Sequence, residues 1–303
     1  MKIKDAFEGY LAYRKEMGVS AKTLTDDRIA LFKSFPPSIS NRELSDLTLN
    51  DVADVISEGR KYGAYGPRHL VTVFRKLMRY IRDSGYAIPF DLEDIEPPEP
   101  PQTLNEYLTV PEMNKVLNSF NLNKLSGLRM RALCEVLFAS GLRISEALSL
   151  YKVDVDWGGK EIHLTNAKTK DQETVCVTNR SLSWLRRYLD ARRDDIPYLF
   201  TSGHGKMPAQ TSRWYLDAHV AHLGIKKKIN HHLFRKSFTT LLIQNKADIK
   251  TVQTLCRHKN PQTTLRYYAA NNKERSKEIY TEIMNQTLTK VDYLREMLPQ
   301  QKL

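Results

Sequence analysis

Residues 231–268 read HHLFRKSFTTLLIQNKADIKTVQTLCRHKNPQTTLRYY. The stretch opens with two histidines, an arginine and a lysine in six residues, then continues as an apolar helical run. A second helical run, DIKTVQTLCRH, leads to Arg257, His258, Arg266 and a tyrosine pair. His232 and Arg235 are three residues apart, so both project from one side of a helix start. Such cationic, hydrogen-bonding edges are either solvated helix ends or the walls of a site for something strongly anionic.

The whole chain leans the same way. Its 303 residues carry Lys+Arg 47 against Asp+Glu 35, a net charge of +12. That length suits two domains, and the charge favours polyanionic partners. Cys134, Cys176 and Cys256 are widely separated with no CxxC spacing. This argues against a disulfide framework or a zinc site and fits a reducing cytoplasm. Charges are scattered through the amino terminus, unlike a signal peptide. No apolar run approaches the roughly 20 residues that a membrane span needs. The expectation is a soluble cytoplasmic protein with no membrane partner.

The clearest boundary is DIEPPEPPQTLNEYLT at 94–109, with four prolines in five residues. Prolines stop a helix and stiffen a connector. The expected layout is a helical domain at 1–93, a linker at 94–108 and a larger domain at 109–303. In the first part, KDAFEGYLAYRKEMG sets Phe7, Tyr10, Leu11 and Met17 on one face and stops near Gly18. Ser20 is the N-cap of a second helix that ends at Pro36 and Pro37. TLNDVADVISEGRK and GPRHLVTVFRKLMRYIRDSG complete a four-helix set. The last carries an apolar stripe of Leu70, Phe74, Leu77 and Ile81, with Arg68, Arg75, Lys76, Arg79 and Arg82 opposite. Those basic residues are a solvated surface or a phosphate-facing one.

The second part starts with a helix capped by Thr109, with Pro111 in its first turn. An apolar helix, GLRMRALCEVLFASG, ends at Gly141. The period then changes: Ile162 and Leu164, then Val175 and Val177, alternate around polar turns and predict a small antiparallel sheet. The remainder is helical apart from PYLFTSGHGKMP. The fold class is therefore mainly α, two domains, the second α+β with a minor sheet.

Chemistry is concentrated at Arg143 with Glu146 three residues on, Lys168 and Lys170 in AKTKDQE, His232, Arg235, His258 and Tyr267. Each has an ordinary explanation alone: a surface ion pair, a solvated hairpin, a helix-end histidine, a packed tyrosine. In order, ASGLRISEALSL, AKTKDQETVCV and the 231–268 stretch resemble the tyrosine recombinase (phage integrase) family, in its Xer-like and simple-integrase branch. The resemblance covers most of the chain. It implies an N-terminal four-helix, SAM-like core-binding domain that holds DNA and a catalytic domain with a C-terminal helix for subunit contacts. It also implies the catalytic set Arg143, Lys168, His232, Arg235, His258 and Tyr267, with Glu146 in support.

The chemistry explains these residue types. Transesterifying a phosphodiester needs a nucleophile, stabilisation of extra negative charge and protonation of the leaving oxygen. Two arginines hold the non-bridging oxygens and stay charged. A histidine donates to those oxygens or helps move the tyrosine's proton, and a hairpin lysine brings a proton to the 5′-oxygen. A covalent 3′-phosphotyrosine keeps the bond energy for religation, so the resemblance implies no metal, ATP or other cofactor. The implied partners are double-stranded DNA with inverted half-sites and further copies of this chain, a dimer per site and a tetramer in the synapse.

Lys236 stands where much of the family has histidine, and Arg257 replaces a usual glycine, which implies a tighter turn or a more basic site. Tyr268 is a rival nucleophile, though the nine-residue spacing from His258 favours Tyr267. Lys170 competes with Lys168, which aligns with the family's lysine. Expected DNA contacts are Lys22, Arg68, Arg75, Arg79, Lys170, Gln210, Arg213 and Lys236. Ile279, Ile283 and Leu288 form one apolar face of KERSKEIYTEIMNQTLTKVDYLREML, at 273–298. That helix either packs on its own domain or docks on the adjacent subunit. The alternatives are a type IB topoisomerase-like relaxase and a catalytically silent DNA-binding regulator. An RNA-binding structural protein has no motif in support.

Overall fold

The computed structural model describes residues 1–99, 106–165, 172–203, 205–258 and 260–268. Residues 100–105 of the connector, residues 166–171 with Lys168 and Lys170, and the 273–298 segment lie outside the described residues. The chain falls into two compact units, Met1–Thr103 and Leu104–Leu303.

The first unit is helical. It contains α1 (Phe7–Glu16), α2 (Ala21–Ile29, continued by a π-helical turn over Ala30–Ser34), the single turn α3 (Pro37–Ser40), α4 (Asp51–Arg60) and α5 (Gly66–Asp83). Ser20 caps α2 by accepting the Thr23 N–H. Phe7, Tyr10 and Leu11 enter the core, whereas Met17 is 65% exposed. The expected face ends early because α1 stops at Glu16 and Gly18 turns the chain at a φ of 72°. On α5 the apolar stripe is broader than expected, since Val71, Val73 and Met78 are buried beside Leu70, Phe74, Leu77 and Ile81. Arg75, at the margin of that stripe, is therefore half-buried. The α4–α5 hairpin closes on glycine: a Cβ on Gly66 would lie 2.0 Å from the Gly59 carbonyl oxygen. Leu92 and Ile95 also join this core, so the first residues of the expected connector belong to the unit's packing.

The second unit is built around α7 (Leu125–Ser140), which packs against α9 (Asn179–Asp190) and α11 (His231–Gln244). Ahead of it α6 (Val110–Asn118) starts with a capping box: Thr109 accepts the Glu112 N–H and Glu112 accepts the Thr109 N–H at 2.8 Å. From Gly127 to Leu137 helix α7 is buried on all sides, including its charged residues. Arg129 donates to the Thr201 carbonyl at 2.7 Å, and Arg131 donates to Glu135 at 2.9 Å and to the Leu117 carbonyl at 2.7 Å. Buried charges persist when so partnered. Next come α8 (Ile144–Ser149) and an antiparallel sheet of β1 (Val155–Asp156), β2 (Glu161–Thr165) and β3 (Gln172–Cys176), in that order. Ile162 faces Val175 across the β2–β3 pair, and both are buried. A small hairpin, β4 (Thr201–Ser202) with β5 (Gly205–Lys206), leads to α10 (Ala209–Val220). Helix α12 (Ile249–Cys256) and a helical segment at 261–268 end the described chain.

Candidate active site

Arg143 owes its place to two local features. Gly141 ends α7 in the left-handed region at a φ of 62°, where a Cβ would also meet Phe238 Cδ1 at 2.5 Å. Leu142 is then buried, and Arg143 stands at the N-cap of α8. An arginine cannot accept the helix's free N–H groups, but Glu146 reaches back instead. Its Oε2 accepts the Arg143 backbone N–H and its Oε1 accepts Arg143 Nη1, each at 2.8 Å. Arg257 Nη2 donates to the same Oε2 at 2.5 Å. Burial alone would raise the Glu146 carboxyl, but these N–H groups and the two guanidiniums outweigh it and hold the group below its ordinary value.

Arg235 lies in the first turns of α11, whose N-cap Asn230 accepts the Leu233 N–H at 2.9 Å. Only 3% exposed, it donates Nη1 to the Gly141 carbonyl at 2.5 Å and Nη2 to the Cys256 carbonyl. One buried guanidinium thus joins the turn before α8 to the end of α12. Burial, then the charge of Arg143, lowers its pKa from the ordinary arginine value.

The histidine pair divides. His231 points inward, where its Nε2 pairs with Ser212 Oγ at 2.8 Å. Burial, followed by the charge of Arg213, lowers its pKa to about 4. His232 lies on the exposed side of the same turn, and its pKa is lowered by its packed surroundings, then by Lys236, Arg235 and Arg143.

His258 follows Arg257, which takes a left-handed backbone with a φ of 51° and a ψ of 50°. The His258 N–H donates to the Gln253 carbonyl at 3.1 Å, and Nδ1 pairs with Thr264 Oγ1 at 2.9 Å, the tautomer deciding which atom donates. Its pKa is lowered to about 4 by burial, then by Arg235 and Arg143, so the ring is neutral at pH 7. The ring stacks on Tyr267, centroids 6.2 Å apart. Burial raises the Tyr267 phenol above its ordinary value against the opposing charge of Arg235. The neighbouring Tyr268 donates its hydroxyl to the Ala247 carbonyl, and both tyrosine rings pack against the cluster of Ile243, Val252 and Cys256.

Arg143, Glu146, His232, Arg235, His258 and Tyr267 are thereby gathered around α8, the start of α11 and the end of α12. Lys168 and Lys170 lie outside the described residues, in the stretch of sequence between β2 and β3, and Glu173 of β3 has Oε2 3.8 Å from Arg257 Nε. Lys236 is half-buried one residue beyond Arg235. Sequence reasoning did not anticipate Arg257 as a partner of Glu146; only its replacement of glycine signalled it.

Of the other expected DNA contacts, Lys22, Arg68, Arg75 and Arg79 belong to α2 and α5 of the first unit, and Gln210 and Arg213 to α10 of the second. Lys22, Arg68 and Arg79 are exposed, and Arg68 donates to the Pro98 carbonyl at 2.9 Å. Arg75 Nε is buried without a hydrogen bond among the described residues. Gln210 is exposed on α10, while Arg213 is half-buried and donates to Asp217 at 2.7 Å. No helix of the described residues is long and apolar enough to cross a membrane.

Comparison with known proteins bears on the same residues. The Phage integrase family profile matches residues 106–275. The tyrosine recombinase XerD of Listeria innocua is 28% identical over 285 residues, covering 88% of this chain and 93% of that protein. Among solved structures, the Tn1549 transposon integrase in complex with circular intermediate DNA has a TM-score of 0.71 at 18% identity, covering 88% of this chain and 95% of that one. A lambda integrase tetramer bound to a Holliday junction has a TM-score of 0.68 at 16% identity, covering 86% of this chain and 78% of that one.

Proposed function

Because this chain belongs to the phage integrase family and is an Xer-like tyrosine recombinase, we propose that it cuts and rejoins DNA at specific sites through a 3′-phosphotyrosine on Tyr267. The observation that carries this reading is the convergence of Arg143, Arg235, His232, His258 and Tyr267 on one cluster, whose cations Glu146 only partly neutralises.

In this reading the scissile phosphate sits between Arg143 and Arg235, whose guanidiniums neutralise the non-bridging oxygens as charge builds on phosphorus. The Tyr267 oxygen attacks phosphorus and the bond to the 5′-oxygen breaks. Neutral His258, against the phenol ring, takes the phenolic proton. Lys168 supplies a proton to the leaving 5′-oxygen, and His232 donates to a non-bridging oxygen. Religation reverses each transfer. No step calls for a metal ion or ATP. The substrate is duplex DNA with inverted half-sites, bound by a dimer per site and a tetramer at the synapse. The tetrameric assembly of lambda integrase on a Holliday junction supports that stoichiometry.

A suicide substrate nicked beside the cleavage point tests the reading. Loss of the short 5′-hydroxyl strand prevents religation, so the full chain should accumulate a covalent protein–DNA adduct in the presence of a metal chelator. Binding without adduct would leave only a DNA-binding role.

A further inference from the structure

Arg257 occupies a backbone position that suits glycine. In the left-handed region a Cβ crowds the following carbonyl, and bulky residues are rare there. Its side chain is 10% exposed, and among the described residues only Nη2 makes a hydrogen bond, to Glu146. Nε and Nη1 are buried without one, although Nε faces Glu173 Oε2 at 3.8 Å. A strained backbone and an under-satisfied buried cation both oppose folding. Glycine would remove both.

What the arginine adds lies at its far end. Glu146 Oε2 is shared by the Arg143 N–H and Arg257 Nη2, leaving Oε1 for Arg143 Nη1. Held from both sides, the carboxylate cannot pivot about its own side chain. The Arg143 guanidinium is 48% exposed and has no other side-chain hydrogen bond among the described residues, so its direction depends on that carboxylate. We propose that Arg257 is a positioning residue for Arg143, locking Glu146 from the α12 side, with Glu173 of β3 as its second anchor. The inference rests on the role of Arg143 in the preceding section. Among the described residues the one side-chain hydrogen bond of Arg257 goes to Glu146, so the inferred role runs through that carboxylate.

The test is single-turnover cleavage of the nicked substrate by the full chain and by Arg257→Gly, Arg257→Lys, Glu146→Gln and the Arg257→Gly/Glu146→Gln double variant, all at saturating DNA. A misdirected catalytic group slows a reaction by up to about 10²-fold. Arg257→Gly should therefore cleave about 10- to 100-fold more slowly while melting no lower than the unmodified chain, since glycine relieves the backbone. Arg257→Lys, which keeps the charge, should fall between. The double variant should be no slower than the slower single, because both changes interrupt one path. The salt dependence of binding should be unchanged. Multiplying effects in the double variant would overturn the inference. So would a salt slope shallower by about one contact, which would make Arg257 a phosphate ligand. An unmodified chain that forms no adduct would overturn the recombinase reading and this inference with it; an adduct together with multiplying effects removes this inference alone.

Discussion

The imidazole of His258 and the phenol ring of Tyr267 lie nearly parallel, with planes 11° apart and centroids separated by 6.2 Å. The neutral ring is thus beside the phenol that the proposed reaction deprotonates, in a cluster where Arg235 opposes the effect of burial on that phenol. Tyr268 instead has its hydroxyl directed to the Ala247 carbonyl.

Tyr267→Phe should therefore abolish the covalent adduct while leaving DNA affinity nearly unchanged, because it removes one oxygen and no cation. Tyr268→Phe should retain the adduct. Denaturing gels of both variants with the nicked substrate decide the matter, and the opposite pattern would reverse the assignment.

Arg143 and Arg235, proposed to hold the phosphate, should separate in stability while agreeing in catalysis. Loss of either should slow cleavage by roughly 10²–10³, the usual effect of removing one transition-state donor. Arg143 is 48% exposed and, among the described residues, its side chain pairs only with Glu146, so Arg143→Ala should cost within about 1 kcal/mol of folding free energy. Arg235 is buried and donates to the Gly141 and Cys256 carbonyls. Arg235→Ala leaves those acceptors unpaired and should cost roughly 2–5 kcal/mol in urea unfolding. Equal stability losses would mean that the buried contacts of Arg235 are weak.

Much of this site is legible in sequence because its geometry is local. Arg143 and Glu146 are three apart and cap a helix, His232 and Arg235 share a turn, and Gly141 marks the stop that aims Arg143. Adjacent pairs are not legible in that way. His231 turns inward to Ser212 and the Tyr268 hydroxyl reaches the Ala247 carbonyl, contacts that no spacing encodes. The same holds for Arg129, Arg131 and Glu135 on α7, whose burial depends on carbonyls and cations brought from other elements. Arg257 and Glu146, 111 residues apart, meet only in the folded chain.

Acid should destabilise the protein through His231. Its folded-state pKa is lowered from 6.5 to about 4, so below the ordinary value the unfolded chain binds a proton that the folded chain excludes. Stability is then complete above about pH 6.5, declines as pH falls towards about 4 and levels off below, a loss on the order of 3 kcal/mol. His258 acts in the same direction. Unfolding free energies measured across that range should fall less steeply for His231→Gln. Identical slopes would show that His231 titrates normally in the folded state.

Two exposed residues should divide binding strength from sequence choice. Arg79 lies on the exposed side of α5, and Gln210 on the first turn of α10. A guanidinium on a phosphate contributes charge without reading sequence, whereas an amide can pair with an adenine edge. Arg213, the other candidate on α10, already donates to Asp217 at 2.7 Å, which leaves Gln210 the better base reader. Arg79→Ala should weaken binding to all sequences alike and reduce the salt slope by about one contact. Gln210→Ala should keep the salt slope and lose roughly 1–3 kcal/mol of discrimination at a single base position. Affinities for a set of single-base variants, each at several salt concentrations, separate these outcomes. Relaxed base preference in Arg79→Ala with uniform weakening in Gln210→Ala would exchange the roles of the two helices.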